Sequence, residues 1–306
     1  MSNEGMQIVV AVNRRSIFPR VLRPQKILLD GMKLGISREG RFREGEYGDN
    51  FAVAYHPDHI GRGIRIRWDN SDVRFTELCL NLPVPEEELD DFFLMCARLA
   101  RQDLSEVKLN GKPFGPKQYH KIRDSYRVYN LKLLHEMMGN VLNKEPERLF
   151  IGCVFHRVAA GEKEAERMWA GVDTSAYRDW LHESQSGGRF FSEARVDEGT
   201  ADGRHAVFTI PSERSVILPD HEELPVRFYD LKTGRPSIEI SKWIVELVDQ
   251  IDHTETKVLG AMPLKEFRRL LPSEKVTYFD AADSLISPLS RQELSMMLEQ
   301  AEQDNA

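Results

Sequence analysis

Cysteine is scarce in this chain of 306 residues: Cys79, Cys96 and Cys153 are the full set, widely spaced and without a CxxC pair. Three scattered thiols exclude a disulfide framework and a zinc knuckle, and predict reduced, buried side chains. No stretch approaches the roughly 18 apolar residues of a membrane-spanning helix. The opening Met1-Ser2-Asn3-Glu4-Gly5 has neither the basic nor the apolar run of a secretory leader. A cytoplasmic protein is therefore expected. Low-complexity tracts and long flexible linkers are missing too. With 41% hydrophobic and 30% charged residues, the chain is too apolar for wholesale disorder.

Recognisable catalytic motifs are equally absent. There is no GxxxxGK[ST] phosphate loop and no GxGxxG after a strand, and Gly61-Arg62-Gly63 alone offers too few N–H groups for a phosphate. Gly35-Ile36-Ser37-Arg38-Glu39 carries Glu where an esterase elbow needs its second glycine, and HExxH does not occur. No cofactor is expected on these grounds.

Charge is present but uneven. The formal net charge is −7, yet residues 1–67 hold 12 Lys/Arg against 7 Asp/Glu. A basic first segment on an acidic body suits an acidic partner, or the chain's own acidic part. The acidic total argues against general nucleic-acid binding.

The chain also echoes itself. Ala52-Val53-Ala54-Tyr55-His56-Pro57 answers Ala206-Val207-Phe208-Thr209-Ile210-Pro211, and Val73-Arg74-Phe75-Thr76-Glu77-Leu78 answers Val226-Arg227-Phe228-Tyr229-Asp230-Leu231. Phe51–Tyr55, the alternating Ile64–Trp68 and Val73–Leu82 read as strands. The amphipathic Glu86–Arg101 and the Ile122–Val141 periodicity read as helices, the former with three acids in its first turn. In the second copy Arg204–Ile210, Ser215–Leu218 and Val226–Tyr229 read as strands, and Ser241–Ile251 as a helix burying Trp243, Ile244, Leu247, Val248 and Ile251. Leu149–Phe155 is a further strand candidate. Ser290 with Glu293 three residues on forms a capping box before a last helix. All four tryptophans fall on apolar faces and are assigned to the core.

The expected fold is α+β: two similar lobes, each an antiparallel sheet with helices on one face, related by internal duplication. Asn143-Lys144-Glu145-Pro146 ends the connecting helix, dividing the chain into residues 1–145 and 146–306. The strand–hairpin–helix module, over 51–114 and 205–264, resembles one in an uncharacterised family of bacterial proteins of about this length. That resemblance implies a bacterial source and brings no activity with it.

Two clusters are candidate sites. His56-Pro57-Asp58-His59 places two imidazoles and a carboxylate within four residues, a donor set for zinc or iron. However, Pro57 restricts the loop, and no fourth ligand is recognisable. Arg65 and Arg67 share one strand face, with Arg62 before them and Arg74 on the paired strand. Such guanidinium forks suit a phosphate, a carboxylate or an acidic protein surface, or salt bridges to Asp69, Asp72 and Glu77. Cys153 and His156 are set aside as a nucleophile pair, since residues three apart on a strand point to opposite faces. The preferred function is a non-catalytic binding or accessory protein with a protein partner, contacting it through His56, His59, Arg62, Arg65 and Arg67. The alternative is a metal-dependent hydrolase or phosphate-handling enzyme built on His56, Asp58 and His59.

Overall fold

The computed structural model describes residues 7–13, 24–38, 41–69, 75–102, 106–115, 118–200, 203–225, 228–230, 235–250 and 256–304. Among them the fold is mixed α and β, with six α-helices and mainly antiparallel sheets. The chain divides into two compact units, Glu4–Gly187 and one holding Gly188–Ala306.

The first unit is built on an eight-stranded sheet. Its strands are β1 (Gln7–Asn13), β2 (Lys33–Arg38), β3 (Arg41–Glu44), β4 (Phe51–Tyr55), β5 (Ile64–Trp68), β6 (Phe75–Asn81), β7 (Glu106–Leu109) and β8 (Lys112–Pro113). They lie in the order β3-β2-β4-β5-β6-β1-β7-β8, all antiparallel. Because side chains alternate along a strand, Ile64, Ile66 and Trp68 of β5 point one way with Leu78, Leu80, Ile8, Val10 and Val12. Helices α1 (Glu86–Gln102) and α2 (Tyr119–Leu142) cover that face, and Leu89, Phe92, Phe93, Cys96 and Leu99 complete one core with it. Arg65 and Arg67 point to the opposite face.

A short ladder of β9 (Leu149–Ile151) and β10 (Val158–Ala160) follows, then α3 (Glu162–Trp169) and α4 (Ser175–Gln185). These helices belong with what precedes them. Tyr177 of α4, fully buried, donates to Pro83 O at 3.2 Å, and Arg178 Nη1 donates to Glu87 of α1 at 2.5 Å. That packing is why the compact units part at Gly187–Gly188 and not near residue 145. The strand expected over Leu149–Phe155 stops at Ile151, and Cys153 and His156 sit in the irregular segment after it.

In the second unit one sheet runs β11-β14-β18-β17, from β11 (Phe190–Phe191), β14 (Val216–Pro219), β17 (Val276–Tyr278) and β18 (Asp283–Ile286). The other runs β12-β13-β15-β16, from β12 (Arg195–Thr200), β13 (Gly203–Pro211), β15 (Lys242–Gln250) and β16 (Thr256–Pro263). Helices α5 (Leu264–Leu270) and α6 (Arg291–Asp304) pack into the same core as Phe208, Ile210, Val245 and Leu247.

Here two expectations are corrected. Residues 242–250 form a strand, not a helix. Trp243, Ile244, Leu247 and Val248 fit a helical step, but Val245 and Leu247 also alternate with half-exposed Ile244 and Glu246. Three β-branched residues and seven-residue pairings on both sides settle the choice for the strand. Pairing between β13 and β15 is parallel, whereas β4, β5 and β6 form an antiparallel meander. Segments 51–114 and 205–264 therefore differ in strand order and in element type, and duplication gains no support. Arg74, and Val226, Arg227 and Leu231 of the second matching hexapeptide, lie outside the described residues. The third correction concerns Trp169, which is 55% exposed at the end of α3 and does not belong to the core.

Candidate functional site

The loop between β4 and β5 carries three of the expected site residues, and its course is set by local chemistry. His56 caps a short 3-10 turn, Pro57–His59, and its Nδ1 accepts from Asp58 N at 3.3 Å, with Pro57 placed where a missing N–H costs nothing. His59 N bonds back to His56 O. The turn stacks the two imidazoles, 4.4 Å between centroids and 6° between planes. Gly31 lies against this pair: a Cβ there would come within 2.9 Å of His56 Nε2.

His59 Nε2 meets Asp91 Oδ2 of α1 at 2.9 Å, with both side chains largely shielded from solvent. The Asp91 hydrogen bond holds the His59 pKa above its ordinary value against the opposing effect of burial, and Glu87 and Glu88 add to the rise. From α4, His182 Nδ1 accepts the Ile60 N–H at 3.2 Å.

Beyond Ile60, the loop wraps a buried carboxylate. Glu88 is 4% exposed and accepts from Arg62 N at 3.0 Å and Gly63 N at 2.5 Å. A Cβ on Gly61 would sit 2.4 Å from Glu88 Oε2, so any larger residue there has to displace the carboxyl group, and Gly63 has φ +81°. Burial raises the Glu88 pKa, and the two backbone donors pull against that rise. Gly61-Arg62-Gly63 thus cradles a carboxyl group, and that group is the chain's own.

Glu88 was missed at the level of sequence because all three first-turn acids were assigned to the helix dipole. Its spacing carried the signal: Glu88 lies four residues before Phe92 and eight before Cys96, on the buried face of α1.

The arginines separate into two groups. Arg62 is committed to carbonyl groups: its Nε donates to Gly152 O at 3.2 Å and its Nη1 to Leu82 O at 3.0 Å. Arg65 and Arg67 stand on the outer sheet face, as alternation predicted. Arg65 donates to Asn81 Oδ1, and Arg67 Nη1 is 3.6 Å from Glu77 Oε1 with its side chain 55% exposed. Register places Val53 and Cys79 beside Arg65, and Ala11 beyond Glu77. Cys79 is buried beneath these polar groups, and burial pushes its thiol up to about 12, which excludes a reactive thiolate.

One end of this outer face is sealed by Tyr55, Ile60 and Val154, with Phe42, Val53 and Phe155 packed around them. The rest keeps half-buried Val9 and Ala11 among the polar side chains.

No group of three or more His, Cys, Asp and Glu is placed to hold a metal among the described residues. His56, Asp58 and His59 do not converge: the Asp58 carboxylate, 87% exposed, is 3.8 Å from His56 Nδ1, while His59 turns to Asp91. Cys153 and His156 also stay apart in function, with both His156 ring nitrogens on backbone carbonyls at 2.8 and 3.1 Å.

The model of one family, a domain of unknown function designated DUF4299, matches residues 13–297. This chain belongs to the DUF4299 family. The match runs through both compact units, so the family is defined by the two together and not by either alone. No curated protein and no solved structure matches the chain. No described helix is long and apolar enough to cross a membrane.

Proposed function

We propose that this DUF4299 member is a non-catalytic accessory protein of a bacterial cytoplasm that binds an acidic protein partner through the outer face of its eight-stranded sheet. The observation that carries this reading is the one-sided covering of that sheet. Helices α1 and α2 pack on one face. The other, beyond the end sealed by Tyr55, Ile60 and Val154, presents Arg65 and Arg67 with Val9 and Ala11 on the nearby strand β1. Apolar atoms framed by guanidinium groups match the composition of protein contact surfaces, in which arginine is enriched. The basic excess of residues 1–67 adds steering toward an acidic surface. His56, His59 and Arg62 serve this face indirectly, by fixing the start of β5 through Asp91, Glu88 and the carbonyls of Leu82 and Gly152.

Affinity capture from the source cells tests the proposal. The expected result is one acidic partner held by the native chain and lost in the Arg65→Glu/Arg67→Glu variant, with affinity down about tenfold or more. Recovery of the same partner by both proteins would contradict it. A stoichiometric transition metal on the purified chain, lost in His56→Ala, would instead support the hydrolase.

A further inference from the structure

The second unit holds a cavity of about 550 Å³ where the β15–β16 ladder meets α5. Register sets Ile244 beside Pro263 and Val245 beside Met262 at this end, and β16 passes directly into α5 at Leu264. Trp243, Ile244, Met262 and Pro263 supply apolar walls. Ala261 adds only a methyl group between them, so the corner stays open.

Trp243 is the anchor of the cavity. Its ring lies near-parallel to that of fully buried Phe208, 6.0 Å between centroids and 21° between planes. The indole is thereby held by the core of the unit, yet it stays only partly buried where it lines the cavity. An aromatic group already held in place costs a ligand little ordering, and it favours a flat ring offset against its own.

The polar part of the lining is unbalanced. Ser241 is committed, its N and its Oγ both donating to Arg204 O at 2.9 Å. Glu222, the one acidic residue of the lining, lies close enough to act electrostatically on Arg268, a cation of the chain itself. Lys265 is exposed and forms no hydrogen bond or ion pair among the described residues, and Lys242 adds a second lysine to the wall.

We infer that this cavity binds a small aromatic carboxylate, with its ring against Trp243 and its charge toward Lys265. The volume falls within the roughly 300–1,000 Å³ of small-molecule sites, which combine apolar walls with a few placed polar groups. A neutral ring would leave Lys265 without an anion. A wholly polar anion would forgo the apolar surface of Trp243, Ile244 and Met262. Every residue of the site belongs to the second unit, so it is independent of the outer sheet face of the first.

Isothermal titration calorimetry on the full chain tests the inference, with indoleacetate and phenylacetate as probes and indoleacetamide as the uncharged control. One carboxylate per chain should bind with a Kd of about 0.1–1 mM, and the amide should bind about tenfold more weakly. Lys265→Glu should weaken indoleacetate about tenfold, and Ala261→Trp, which fills the corner, should abolish its binding. Both positions are exposed, so an unchanged unfolding temperature confirms that each variant folds. Should Ala261→Trp unfold, Lys265→Glu and the amide decide the matter. The inference is overturned if neither carboxylate saturates the chain below about 10 mM. It is equally overturned by an amide that binds as well as the acid, or by a folded variant that binds as the native chain does.

Discussion

The most informative residue in the first unit is Gly61, because a single hydrogen there separates a fitted loop from a clash with a buried carboxylate. Gly61→Ala should cost about 2–3 kcal/mol in urea unfolding, as an inserted methyl must displace Glu88 from two backbone donors. A loss under about 0.5 kcal/mol would show that the cradle yields freely. His59 gives a pH-dependent counterpart. Its folded pKa is raised above 6.5, chiefly by Asp91. Its stabilisation is therefore fully present below 6.5 and is lost as pH rises through the folded value. Asp91→Asn should lower stability by about 1 kcal/mol just below pH 6.5, and the gap from the native protein should close at higher pH. A gap that widened with pH would have the wrong sign for this pair.

At the scale of elements, the helix-cap chemistry was legible in sequence. Ser290 Oγ accepts from Glu293 N at 3.1 Å, and Glu293 Oε2 accepts from Ser290 N at 2.7 Å, the reciprocal box expected before α6. Those hydrogen bonds, with Lys275, bring the Glu293 pKa down to about 2. Ser290→Ala should destabilise the second unit by about 1 kcal/mol. The Glu293 contribution should persist above pH 4.5 and fade as pH falls toward 2, which circular dichroism during acid titration would follow. Strand β15 was not legible, because a run of Trp, Ile, Val and Leu broken by one Glu satisfies both periods. Only its pairing with the following strand β16 and with the remote, parallel β13 decides, and the apolar spacing within 242–250 does not reveal it. The arginine face shows the opposite case. Alternation along Ile64–Trp68 is local, so the shared direction of Arg65 and Arg67 could be read directly. Arg62 could not, since its carbonyl partners Leu82 and Gly152 lie 20 and 90 residues away.

At the scale of the molecule, hydrophobic clusters assign each unit its own core: the sheet–helix core from Ile8 to Tyr119, and the core from Ala194 to Ala301. The boundary between units falls in Ser186-Gly187-Gly188, where both glycines have positive φ. Limited proteolysis should cut first near this point and leave two resistant fragments, each with cooperative unfolding. First cleavage near residue 145 would contradict it, since Tyr177 and Arg178 tie the following helices back to α1. Matching hexapeptides suggested two like lobes, but six residues fix at most one strand, and strand order depends on contacts between distant segments.

The binding face is the claim on which the functional account turns. A photo-crosslinking side chain at Ala11, on the outer sheet face next to Glu77, tests it directly in the source cells. Leu94, 54% exposed on α1, provides the comparison from the helical side. One discrete adduct with an acidic protein at position 11, absent at position 94, is the predicted result. Adducts at both positions alike, or none at position 11, would contradict it.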